Sequence, residues 1–240
     1  GTNVFAHIDD LDDFMNGVKI LLKLDGVLVI EAPYLVNLFD NLEYDTIYHE
    51  HLSYLSVKPL KQFCEKHKMD LFDVEIKKIH GGTLRYFIGR AGKHKISNNV
   101  KKFLKLESTK KIYSDKQLKQ FAKNVKDHRF ALLKLLSNLK KSGKTIVAIS
   151  APAKGNTLLN YCKIGTETID YVTEKNPMKI GKFTPGMHIP IYSDKKLISD
   201  KPDYALVLAW NFADEIMKNN HSFKTNKGKF IIPLPFLKIV

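Results

Sequence analysis

Hydrophobic positions along the first thirty residues follow helical and then strand spacing. Residues 9–23 place apolar side chains on one stripe at helical spacing, which predicts a helix that Asp9 or Asp10 can cap. After the Asp25-Gly26 turn, Val27–Pro33 is a short run rich in β-branched residues, typical of a buried parallel strand. Helix, turn and strand together make half of a βαβ unit.

The pattern continues with a helix and a hairpin. Val57–Met69 predicts another helix, and the runs Asp70–Ile79 and Thr83–Gly89 predict two strands. The intervening His80-Gly81-Gly82 is typical of a hairpin turn. Residues 92–114 are rich in lysine and lack strong periodicity, so we expect a connector with one short helix.

The second half predicts a long helix and then a second α/β unit. Asp115–Lys141 keeps its leucines at spacings of three, four or seven, as an amphipathic helix does. Strand and helix patterns then alternate, which predicts a mostly parallel, doubly wound sheet. The predicted strands are 145–150, 168–173, 204–209 and 230–232; the predicted helices are 157–161 and 214–218; and 151–156 is a predicted small-residue turn.

Composition narrows the class of protein. The chain has 240 residues, is 44% hydrophobic and can bury a real core. It has no apolar run near the 18 residues of a membrane span, and residues 1–7 lack the features of a signal peptide. Its two cysteines, Cys64 and Cys162, build neither a disulfide framework nor a cysteine zinc site. We therefore expect a cytoplasmic protein without a membrane partner.

The net charge of +14 is unevenly distributed. Residues 1–57 hold 10 acidic and 2 basic side chains, whereas residues 58–240 hold 15 acidic and 37 basic ones. The excess of basic residues after residue 57 suggests an anionic partner, either nucleic acid or a phosphorylated small molecule. However, 36 of the 39 basic residues are lysine, and sequence-specific readers of nucleic acid favour arginine. A solvated lysine-rich surface explains the charge, and we expect no nucleic-acid binding.

The densest candidate chemistry is the run Tyr48-His49-Glu50-His51. A phenol, two imidazoles and a carboxylate within four residues are the groups that general acid–base catalysis uses near neutral pH. Metal binding is an alternative, but the chain offers no HExxH spacing and no cysteine ligands here. We favour proton chemistry and expect no metal at this run.

The turn after strand 145–150 is a second candidate. Small residues let the backbone approach an anion at a helix N-terminus, and Lys154 and Asn156 supply further donors. The turn lacks both a GxGxxG and a Walker pattern. Tight packing between strand and helix is therefore an equally good explanation.

Five motifs in order along the chain resemble the SAM-dependent nucleotide-sugar C-methyltransferases. They are Asn3-Val4-Phe5-Ala6-His7, Tyr48–Tyr54, His80–Arg85, Ala153–Tyr161, and the set Glu174–Pro177, Pro185-Gly186 and Ile189-Pro190. The resemblance implies an enzyme with a four-cysteine zinc domain, a SAM-binding domain of class I methyltransferase type and a related C-terminal α/β domain.

On this resemblance the chain lacks the zinc domain and most of the SAM site, so it looks N-terminally truncated. Residues 1–90 would be the back half of the Rossmann-like methyltransferase domain, with Asn3 and Phe5 beside the cofactor. Residues 91–240 would be a second Rossmann-like α/β domain associated with the nucleotide sugar, including the helix 115–141 and the substrate-binding Lys154 and Asn156. Zinc is expected only in the missing domain.

The resemblance also implies a reaction, in which a methyl group is transferred to carbon next to the keto group of a dTDP-type deoxysugar. Among the matching residues, His51 is the expected general base, and Glu50 orients it or holds a sugar hydroxyl. Tyr48 or His7 donates to the developing enolate oxygen, and His49 is a bystander. The alternative function is a non-catalytic, nucleotide-sugar-binding fragment that lacks the SAM site.

Overall fold

The structure is a computed structural model that describes residues 1–77 and 82–240. The chain forms two compact units: residues 1–40 with 49–121, and residues 41–48 with 122–240. This division differs from the predicted one after residue 90. The predicted functional domain boundary stays a prediction.

The first unit is built on a three-stranded sheet. Its strands are β1 (Val27–Pro33), β2 (Met69–Lys77) and β3 (Thr83–Arg90). β3 lies in the middle and pairs antiparallel with both neighbours, so β1 and β2 run in the same direction. The predicted hairpin of β2 and β3 is confirmed; its turn at residues 80–82 falls mainly outside the described residues.

The prediction of a parallel strand at β1 holds on one edge only. Beside β3 the strand is antiparallel, and there the prediction is wrong. On the other edge, Thr2 bridges Glu31 in parallel, and the Asn3 N–H donates to the Glu31 carbonyl at 2.9 Å. An apolar β-branched run shows that a strand is buried, but it carries no information on the direction of its partner.

Helices cover this sheet, and most have the predicted positions. Asp10 caps α1 by accepting a hydrogen bond from the Asp13 N–H at 2.9 Å, as predicted. Residues 92–114 were expected to hold only a short helix, but they contain a helix of 13 residues. The helices of the first unit are α1 (Leu11–Leu21), α2 (Leu35–Asp40), α3 (Val57–Lys66) and α4 (Asn98–Lys110), followed by α5 (Asp115–Lys141), which continues into the second unit.

A buried carboxylate on α4, Glu107, ties this helix to its neighbours. Glu107 is fully buried and accepts hydrogen bonds from the backbone N–H groups of Val57 and Lys58 at 2.6 and 3.0 Å. The hydroxyls of Tyr34 and Tyr113 donate to it at 3.0 and 2.6 Å. Glu107 therefore satisfies the N-terminus of α3, whose first amides have no partner within the helix.

The second unit is a doubly wound α/β sheet, as predicted. Its strand order is β6-β5-β4-β7-β8-β9, parallel throughout except for β9, which is antiparallel to β8. The α/β fold class is thereby confirmed. The strands are β4 (Ile146–Ile149), β5 (Val172–Glu174), β6 (Ile191–Ser193), β7 (Tyr204–Val207), β8 (Lys229–Ile232) and β9 (Lys238–Ile239), and the helices are α6 (Ala153–Cys162), α7 (Lys195–Asp200), α8 (Ala213–Asn219) and α9 (His221–Thr225).

Two predicted boundaries in this unit differ from the structure by more than two residues. The strand expected at 168–173 begins only at Val172, because the Glu167 carboxylate accepts from the Gly165 N–H and the Thr168 hydroxyl and holds a local turn. The turn expected at 151–156 is already helical from Ala153, with Pro152 at the N-cap. β6, β9, α2, α7 and α9 were not predicted.

We predict that Glu107→Ala lowers the free energy of unfolding by about 3 kcal/mol or more, because two amides and two hydroxyls lose a buried acceptor. Urea unfolding followed by circular dichroism measures this change. Glu65→Ala, which removes only a surface ion pair with Lys61, is the matched control and should cost less than about 1 kcal/mol. Equal losses in the two variants would contradict the role given to Glu107.

Candidate active site

His7 and His51 lie side by side in the first unit. Their rings meet edge to face with centroids 5.0 Å apart, although 43 residues separate them in sequence. The backbone brings them together, because the N–H groups of Leu52 and Ser53 both donate to the Ala6 carbonyl, at 2.8 and 3.2 Å. The structure thus brings these two candidate residues together, and their chemical roles stay predictions.

Burial of Phe5 fixes the turn that carries His7. Residues Phe5–His7 form one turn of 3₁₀-helix, and the Phe5 ring packs edge to face against Phe14 at 5.5 Å and Phe63 at 6.5 Å. Ala6 is buried beside it, whereas His7 is exposed. A hydrophobic anchor followed by an exposed imidazole is a geometry in which the imidazole can reach a ligand.

The two expected cofactor residues differ in what they can offer. Phe5 is buried in the core, so its side chain does not face a ligand. Asn3 is exposed and lies near the carboxyl end of β1, where α/β sheets bind ligands. An exposed Asn3 side chain can reach a ligand, whereas the buried Phe5 ring cannot. The assignment of both residues to the cofactor stays a prediction.

The rest of the Tyr48–His51 run is divided between the two units. His51 is half-buried, and its ring meets that of Tyr54 at 6.3 Å. Glu50 and His49 are exposed, and Tyr48 belongs to the second unit. Tyr54 was not assigned a role from the sequence; its position three residues after His51 was the available signal.

A buried cluster of charged groups in the second unit was not predicted from the sequence. Asp45 has no solvent exposure, and its Oδ2 accepts a hydrogen bond from Trp210 Nε1 at 2.7 Å. The Lys154 Nζ lies 4.1 Å from the centre of the Trp210 ring. Glu43 is also buried and accepts from Asn41 Nδ2 at 2.8 Å. We call Glu43, Asp45, Lys154 and Trp210 the Asp45 cluster.

Burial and charge oppose each other in this cluster. Burial raises the pKa of Asp45 to about 6, although the Lys154 charge and the Trp210 hydrogen bond act in the other direction. Burial likewise raises the pKa of Glu43. It lowers the pKa of Lys154, and the two carboxylates offset part of that change. Two buried carboxylates thus lie within the electrostatic influence of one half-buried ammonium group.

A second buried group lies beside the cluster. The Tyr44 hydroxyl is 3.1 Å from His128 Nδ1 and 3.6 Å from the sulfur of Cys162. His128 Nε2 lies 2.7 Å from the Pro233 carbonyl, which can only accept, so this nitrogen carries the proton. Burial lowers the pKa of His128, which favours the neutral ring. Nδ1 of the neutral ring is therefore the acceptor for the Tyr44 hydroxyl.

The loop after β4 is less open to phosphate than its sequence suggests. The Glu174 carboxylate already accepts from the Ala151 N–H at 3.0 Å, and the Lys179 ammonium group donates to the Ala151 carbonyl at 2.8 Å. Lys154 faces the Trp210 ring, and the Asn156 carbonyl accepts from the side chain of Asn160. Substrate binding by Lys154 and Asn156 stays a prediction, and their observed contacts are internal.

The comparisons with known proteins agree with the motif pattern. A family model described as the C-methyltransferase C-terminal domain matches residues 78–235. The chain belongs to this family. C-methyltransferase NovU of Streptomyces niveus is 36% identical over 241 residues, an alignment that covers 100% of this chain. The chain spans 57% of the length of NovU.

The described residues, 1–77 and 82–240, lack two further features. Within these ranges, no three histidine, cysteine, aspartate or glutamate side chains are grouped so that they could hold a metal ion. None of the helices described there combines the length and the apolar character needed to cross a membrane.

We predict that Tyr44→Phe lowers the free energy of unfolding by about 1–2 kcal/mol, because it leaves the buried Nδ1 of His128 without its donor. The matched control is Tyr161→Phe, which removes a hydroxyl from a partly exposed ring that packs on Tyr44 at 5.3 Å. The control should cost less than about 0.5 kcal/mol. Thermal unfolding of both variants measures the difference, and equal stability of Tyr44→Phe and the parent protein would contradict the assignment.

Proposed function

We propose that this chain is the carboxyl-terminal part of a SAM-dependent C-methyltransferase. Its substrate is a nucleotide-linked, dTDP-type deoxysugar, methylated at carbon next to a keto group. Membership of the C-methyltransferase C-terminal domain family and the likeness to NovU support the class of reaction. The contact between the rings of His7 and His51 is the observation that supports placing the reaction at these residues.

Proton removal is the step that this pair of residues can perform. Carbon next to a keto group becomes a nucleophile only when its C–H bond breaks and the electron pair moves into an enolate. His51 accepts this proton as the general base, a role that suits a half-buried imidazole whose backbone is fixed through Leu52. His7 or Tyr48 donates a hydrogen bond to the enolate oxygen, and Glu50 orients the base or holds a sugar hydroxyl.

Methyl transfer completes the reaction. SAM, when bound, supplies a methyl group on a positively charged sulfur. With SAM bound, the enolate carbon would take the methyl group as the C–S bond breaks, and the keto group would be restored. The contribution of this chain is to hold the sugar and take its proton, so positioning and electrostatic stabilisation account for its share of the catalysis.

We predict that His51→Asn in the full-length protein lowers kcat by about 100-fold or more, the usual contribution of a general base. The KM for the nucleotide sugar should stay within about threefold, because the uncharged amide keeps a hydrogen-bonding group of similar size. A steady-state assay of methyl transfer from labelled SAM measures both constants.

His49→Asn is the matched control, because His49 is an exposed histidine two residues away. It should leave kcat within about twofold. An equal fall in kcat in the two variants, or a kcat for His51→Asn near that of the parent, would show that His51 is not the general base. Binding of dTDP by calorimetry, together with no turnover of any dTDP-sugar by the full-length protein, would favour the non-catalytic binding module instead.

A further inference from the structure

A buried carboxylate lies three residues before Tyr48 and takes no part in the proposed reaction. Asp45 is on the segment 41–48, which belongs to the second unit although residues 40 and 49 belong to the first. The segment's regular structure is one 3₁₀ turn, Tyr44–Thr46. Such a short turn has little stability of its own, so side-chain contacts must hold it in place.

The contacts of Asp45 are directed into the second unit. Its Oδ2 is bonded to Trp210, while its Oδ1 is buried and makes no hydrogen bond within the described part of the chain. The charged and titratable groups near it are Glu43 and Tyr44 from its own segment and Lys154 from α6. Trp210 contacts both charged residues: its indole N–H donates to Asp45, and its ring lies beneath the Lys154 ammonium group.

Stability alone is a poor explanation for such an arrangement. Taking a carboxylate and an ammonium group out of water costs free energy, and apolar residues of the same volume often serve stability as well or better. What buried charged groups add is geometric selectivity, because they are satisfied in only one arrangement. In this chain the selected element is the segment that ends at Tyr48.

We propose that Asp45 is a positioning residue: through Trp210 and Lys154 it fixes the segment 41–48 and so sets the place of the Tyr48 hydroxyl. This inference rests on the proposed function, in which Tyr48 is one of the two candidate donors to the enolate oxygen, and it selects Tyr48. Tyr48 is the last residue of this segment, so a shift of the segment moves its hydroxyl.

The first experiment measures the segment itself and needs no activity. In Lys154→Met the two carboxylates lose their ammonium partner while the side-chain volume is kept. Hydrogen exchange of the full-length protein, read by mass spectrometry, should show amides of residues 41–48 exchanging at least tenfold faster, with β4 and β7 unchanged. Lys144→Met is the matched control, since it removes a surface lysine paired with Asp203 at 3.0 Å, and it should leave the segment unchanged.

Unchanged exchange of residues 41–48 in Lys154→Met would overturn the proposal. If Lys154→Met unfolds globally, the same hydrogen-exchange measurement is made on Asp45→Asn. This variant keeps an acceptor for Trp210 and removes the negative charge. Loss of structure in both variants would also overturn the proposal, because the cluster would then be part of the general core.

The second experiment asks whether Asp45 acts through Tyr48. Asp45→Asn should lower kcat about tenfold in the full-length protein while the KM values for sugar and SAM stay within twofold. On a Tyr48→Phe background the same change should lower kcat by less than twofold, because the hydroxyl it positions is already gone. Equal loss on both backgrounds, or no loss on the parent background, would overturn the inference. A full-length parent protein without methyl transfer would instead overturn the proposed function.

Discussion

The Ala6 carbonyl is the point on which the candidate site depends. This one oxygen accepts the N–H groups of Leu52 and Ser53 and thereby joins two stretches of chain more than forty residues apart. Phe5, buried beside it, keeps the carbonyl in place, and the peptide bonds on either side place His7 and His51 with their rings in contact. Backbone hydrogen bonds are insensitive to side-chain identity, so the pairing is a property of the fold and not of the two imidazoles.

The second unit holds its part of the motif by a different means. Residues 41–48 are fixed by side chains: Tyr44 through His128, and Asp45 through Trp210 and Lys154. These groups are buried and polar, which makes them costly when unpaired and selective when paired. The motif that looked like one continuous run in the sequence is therefore secured by backbone contacts at its end and by buried polar groups at its beginning.

Periodicity predicted the parts of the fold that local sequence decides. The helix Asp115–Lys141 has the predicted bounds, and the doubly wound order of the second unit follows from alternating patterns. Periodicity underestimated α4, for which only one short helix was expected, because that helix includes Glu107, a charged residue that is buried by its partners on other elements. It also did not predict the antiparallel pairing of β1, since burial looks the same in either direction.

The site was predictable in part for the same reason. His51 stands in a dense run of ionisable residues, and His7 follows from the family resemblance, so both could be named from the sequence. Asp45 could not, because its importance comes from contact with Trp210, 165 residues away in the chain. Lys154 was named as a phosphate donor, and its observed contact is with the Trp210 ring.

The central claim is that His51 takes a proton from carbon next to a keto group, and deuterium incorporation into the substrate measures this step directly. The full-length protein is incubated in heavy water with a dTDP-linked ketosugar and S-adenosylhomocysteine in place of SAM, and the sugar is followed by proton NMR. The account predicts loss of the signal of the proton next to the keto group with the parent protein, and no loss above background with His51→Asn. Exchange at the parental rate in His51→Asn would contradict it.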